Sequence, residues 1–160
     1  VLGIQYLFYQ YSQAMVVIQN IINDVTIDET KLKLTCQQFM QEFDVGDSEL
    51  VVRLVSPVEI QVLNKEYRSK NQVTNVLSFS SDIPLEIGET ILGDVVICVD
   101  VVREEAVLGG KAFSGHLIHM AIHGILHLLS YDHNDLASAN KMEGIEIEFL
   151  KKIGVSNPYQ

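Results

Sequence analysis

Residues Phe113–His133 read FSGHLIHMAIHGILHLLSYDH, and both the fold and the chemistry of the chain turn on that stretch. From Phe113 to Leu129 the sequence is apolar on nearly every side, which predicts a helix buried in a domain rather than lying on its surface. All five histidines of the chain fall between positions 116 and 133. His116, His119, His123 and His127 are spaced three, four and four apart, so 3.6 residues per turn set them on one helical face. Unpaired imidazoles among Leu117, Ile118, Ala121, Ile122, Ile125 and Leu126 are costly to bury, so this helix needs partners for them.

His123 and His127 form an HxxxH pair, which brings two ring nitrogens to one point a turn apart. His133 follows a short connection that swings it back over the helix end. Three neutral nitrogen ligands with an open fourth position describe a catalytic zinc site, one ion per chain, rather than a closed structural one. His116 and His119 read as cleft-lining residues or supports for the ligands. In a zincin protease the residue after the first histidine is a glutamate acting as general base; here it is Gly124, which cannot take a proton. Peptide hydrolysis of that kind is disfavoured, though a metallohydrolase of another class and a non-catalytic metalloprotein both stay open.

Outward from the helix, VVIQNII at 16–22 reads as a first strand, and 28–43 as an amphipathic helix burying Leu32, Cys36, Phe39 and Met40. Glu49–Val55 is a second strand, and Ser56-Pro57 opens a helix with Ile60, Leu63 and Tyr67 on one side. Strands are expected at 74–80 and 94–99, and a short helix at 101–108 ending in Gly109-Gly110. A last helix over 136–152 turns Met142, Ile145, Phe149 and Leu150 inward. The expected architecture is α+β: one domain over 15–160, with a small mixed sheet of about four strands, about five helices, and the histidine helix buried late in the chain. Residues 1–14 read as an extension that contributes little to function.

The chain length of 160 residues suits one domain with a real core. A formal charge of −10 argues against sequence-blind nucleic-acid binding, although a local cationic cleft can persist in an acidic body. Cys36 and Cys98 form no CxxC pair and read as small buried hydrophobes in a reducing compartment. No apolar run approaches the ~20 residues a membrane span needs, which leaves a cytoplasmic enzyme or binding domain.

The densest positive patch lies in LNKEYRSKNQVTNVLSF, residues 63–79, with Lys65, Arg68 and Lys70 close together. A forked guanidinium beside an activated water suits phosphodiester cleavage, where charge develops on non-bridging oxygens. On that reading Arg68 stabilises the transition state, and Lys70 and Lys65 steer the substrate.

HGILHLLSYDH resembles the HGxLHLxGYDH signature of the YbeY family, bacterial endoribonucleases of ribosomal RNA maturation. Residues 63–79 resemble its LNxxYRxKDxPTDVLSFP, and LGDVVIC at Leu92–Cys98 resembles its LGDIVIS strand. The resemblance implies zinc on His123, His127 and His133, with Arg68 handling substrate phosphate. It also implies cleavage of single-stranded RNA rather than DNA, maturation of the 16S rRNA 3′ end, and a part in ribosome quality control beside small-subunit proteins. The chain departs from the pattern at Asn71, Val73, Asn75, Ser80 and Ser130. Where the family has glycine, Ser130 predicts either a positive φ or a shifted loop, at a cost on the order of 1 kcal/mol.

Overall fold

The computed structural model describes residues 15–81 and 90–160, so the expectation for residues 1–14 lies outside the described residues. Among the described residues nine elements follow in order: β1 (Met15–Asn20), α1 (Glu29–Glu42), β2 (Glu49–Val55), α2 (Pro57–Arg68), β3 (Val76–Ser80), β4 (Ile91–Cys98), α3 (Val99–Leu108), α4 (Phe113–Leu128) and α5 (Leu136–Lys152). The sheet runs β1-β2-β4-β3, with β1, β2 and β4 parallel and the edge strand β3 antiparallel to β4. This is the mixed α+β domain expected.

The elements begin where the chain offers a cap. The Asp28 side chain accepts from the Lys31 amide, Ser56 from Glu59 and Asp135 from Ser138, each filling an orphan donor of a first helical turn. β1 ends at Asn20 rather than Ile22, because Asn20 and Asp24 exchange hydrogen bonds that fold Ile21 and Ile22 into a turn. β3 starts at Val76, where the Asn75 side chain takes the Val76 amide at 2.8 Å. β4 is longer than expected, reaching back to Ile91, and α3 begins earlier, at Val99.

Strand alternation sends side chains to two cores. Leu50, Val52, Leu54, Val95 and Ile97 join the larger one with α1, α4 and α5, while Val55, Val96 and Cys98 meet Ile60 of α2 on the opposite face. Cys36 and Cys98 are fully buried, and burial pushes the Cys36 thiol up to about 12. Tyr67, expected inward, is 56% exposed and instead packs edge-on against Phe79.

α4 is the buried helix anticipated, and it presses on the sheet at one residue. A Cβ on Gly124 would lie 2.5 Å from Val95 Cγ1 and 3.1 Å from Ser78 Oγ. No side chain fits there without displacing β4 or β3. Gly124 therefore sets how closely the histidine helix approaches the sheet.

Candidate metal centre and adjoining cleft

His123 and His127 leave α4 one turn apart, and their Nε2 atoms face each other at 3.1 Å. Both rings are held from behind. His123 Nδ1–H donates to Glu146 Oε1 at 2.6 Å, and His127 Nδ1–H donates to the Tyr131 carbonyl at 3.1 Å. Carboxylate and carbonyl only accept, which fixes the protons on Nδ1 and leaves a lone pair on each Nε2. Two lone pairs at that separation repel unless a cation lies between them. Tetrahedral ligation at about 2.0–2.1 Å per nitrogen brings ligand nitrogens to about 3.3 Å from one another, close to the spacing seen.

The third histidine arrives through the end of α4. Ser130 has φ 69°, its amide bonds to the His127 carbonyl, and the Tyr131 amide returns to the Leu126 carbonyl at 3.0 Å. The left-handed residue thus falls where the sequence calls for one, and the chain reverses so that the His133 ring lies 5.1 Å from His127 and 5.6 Å from His123, centroid to centroid. Ligand atoms of the three histidines lie within 4.8 Å of one another. The donor set fits a zinc-like divalent ion, with His133 on the solvent side. Burial, and then the positive charge that His123 and His133 would carry, lowers the His127 pKa and favours the neutral form a metal needs.

His119 and His116 stand farther up α4. His119 is buried, with Nε2 bonded to Glu146 Oε2 at 3.2 Å, so it supports the group behind His123. His116 is buried with Nε2 3.7 Å from Glu105 Oε1, and its ring does not reach the three-histidine group.

Glu146 is the residue that sequence reasoning missed. It is fully buried, yet His119, His123 and Tyr159 all donate to its carboxylate. Burial opposes its ionisation, but those three hydrogen bonds outweigh burial and hold the carboxyl at about 2. Its position on α5, four residues after Met142 and three before Phe149, was the available signal: a charge inside an inward stripe.

Beside the centre lies a cleft of about 460 Å³ lined by Arg68, Lys70, Asn64, Ser78, His127 and His133 among others. Ser69 ends α2 in a left-handed conformation, φ 57°. The Arg68 guanidinium lies over the Phe79 ring, 5.3 Å from its centre, while donating to the Ser78 carbonyl at 2.7 Å. Lys70 reaches the same cleft. Lys65 does not: Asn64 and Arg68, four apart, share the cleft face, and Lys65 is turned about 100° from Asn64 to lie beside Val62 and Asn71.

Fold and site together define a small α+β protein with three histidines and an arginine-lined cleft at one end of a buried helix. The sequence profile described as Endoribonuclease YbeY matches residues 17–154, and the chain belongs to that family of RNA-cutting hydrolases. It is 57% identical over 145 residues to endoribonuclease YbeY of Ruthia magnifica subsp. Calyptogena magnifica, covering 91% of this chain and 100% of that one. The Pseudomonas syringae pv. syringae endoribonuclease YbeY is 47% identical over 82% of this chain and 80% of its own. The solution structure of TM1509 from Thermotoga maritima superposes with TM-score 0.59 at 27% identity, covering 87% of this chain and 91% of that one. No helix among the described residues is long and apolar enough to cross a membrane.

Proposed function

We propose that this protein is a zinc-dependent, single-strand-specific endoribonuclease that matures the 3′ end of 16S rRNA and serves ribosome quality control in the cytoplasm, beside small-subunit proteins. The observation that carries the reading is the pair of Nε2 lone pairs facing each other at 3.1 Å, with both Nδ1 atoms already engaged. His123, His127 and His133 would hold one zinc, which when bound activates water and offsets negative charge. Arg68, anchored by the Ser78 and Tyr67 carbonyls, offers the guanidinium donors left over to a phosphate in the cleft and stabilises charge on the non-bridging oxygens. Lys70 draws the RNA backbone into that cleft against a net charge of −10. Gly124 supplies no general base, which separates the centre from a zincin protease.

Cleavage of single-stranded RNA by the wild type, His127→Ala and Arg68→Ala, each with its zinc content measured, tests the reading. His127→Ala is expected to lose both metal and cleavage, and Arg68→Ala to lose cleavage alone. Full activity in both variants overturns it.

A further inference from the structure

The segment that follows α5 folds back over the first half of α4. The Val155 amide bonds to the Leu150 carbonyl at 2.9 Å, and the Val155 side chain occupies the space that a Cβ on Gly115 would need, 3.2 Å away. Lys111 Nζ donates to the Pro158 carbonyl at 2.5 Å, and Pro158 is buried. Asn157 Oδ1 then accepts the Tyr159 amide at 2.9 Å. These tethers deliver the Tyr159 hydroxyl to Glu146, where it donates to Oε2 and lies 3.4 Å from His119 Nε2.

We infer that Tyr159 is a positioning residue for the metal centre, acting through Glu146 on His123. The inference rests on the metal reading above. The order of contacts carries it. Oε1 of Glu146 holds the Nδ1–H of His123, while Oε2 receives Tyr159 together with the longer bond from His119. A carboxylate fixed through Oε2 cannot rotate away from His123, so the imidazole plane and the direction of its Nε2 lone pair stay set. Removing the phenol oxygen leaves Oε2 with the 3.2 Å contact to His119 alone among these donors, in a site with no exposure to water. Tyr159 itself is 45% exposed, so losing its hydroxyl removes one bond and no core volume.

Zinc affinity of the full chain, measured by chelator competition, tests this with Tyr159→Phe, Glu146→Gln and the double variant. Groups that orient a ligand histidine change affinity by about 10- to 100-fold. Glu146→Gln is expected within that range and Tyr159→Phe at about tenfold, near its lower end. The double variant is expected to bind no more weakly than Glu146→Gln, since one residue acts through the other. Cobalt in place of zinc should show a shifted ligand-field spectrum in Tyr159→Phe. A Tyr159→Phe protein matching wild type in affinity and spectrum, or losses that multiply in the double variant, overturns the inference. His127→Ala separates the two levels. Undiminished zinc binding in His127→Ala removes the metal reading and this inference with it, whereas loss there with Tyr159→Phe unchanged removes the inference alone.

Discussion

Ser78 Oγ donates to the Gly124 carbonyl at 2.8 Å, tying edge strand β3 to the middle of the histidine helix. The same strand lends its Ser78 carbonyl to Arg68, so one residue ties down both the histidine helix and the arginine across the cleft.

That close approach makes Gly124 intolerant of any side chain. Gly124→Ala should destabilise the protein by about 1–3 kcal/mol through overpacking against Val95. Gly124→Glu, which introduces the glutamate of a zincin, should cost more, and Val95→Ala should recover part of the alanine loss. Urea midpoints measure all three, and a wild-type midpoint for Gly124→Ala contradicts the packing argument.

Ser130 holds φ 69° without being glycine. Ser130→Gly is expected to raise stability by about 1 kcal/mol while leaving zinc affinity within a few-fold of wild type. A thermal melt of the metal-free protein checks the first half, and chelator competition the second.

Arg68 donates through one nitrogen to the Tyr67 carbonyl and through another to the Ser78 carbonyl while lining the open cleft, an arrangement that a single ammonium cannot reproduce. Arg68→Lys should therefore lower RNA cleavage nearly as far as Arg68→Ala, by about 10²-fold or more, with zinc content unchanged. Near-wild-type cleavage by the lysine variant would show that charge alone suffices.

Acid should unfold the metal-free protein in two stages. Burial first, with the neighbouring His119, lowers the His116 pKa from 6.5 against the pull of Glu105, so below about pH 6.5 the unfolded chain takes a proton the folded one resists. The second stage belongs to Glu146, held at about 2 against an ordinary 4.5. Its contribution of about 3 kcal/mol is complete above pH 4.5 and drains away between there and pH 2. In Glu146→Gln the lower stage should vanish in a urea series run against pH.

Much of this architecture can be read from the chain because period and capping are local properties. α4, α5 and the two-sided strands β2 and β4 follow from spacing alone. The order β1-β2-β4-β3 does not, since which strand pairs with which depends on side chains far apart in sequence. The same reason separates the histidines from their support: His123, His127 and His133 lie within eleven residues, but Glu146 and Tyr159 meet them only through the docking of α5 and the segment after it. Lys65 shows the converse, a neighbour of Arg68 in sequence that the turn of α2 carries away from the cleft.

The carboxylate behind His123 comes from a different helix than the imidazole it holds, and the phenol behind that carboxylate comes from beyond that helix. An unfolded chain offers no such arrangement, so a cation bound there is in effect a ligand of the native state alone. Free metal at a thousand times its dissociation constant then adds about 4 kcal/mol to the free energy of unfolding. If the centre holds the proposed ion, its removal would register first as faster proteolysis of the protein.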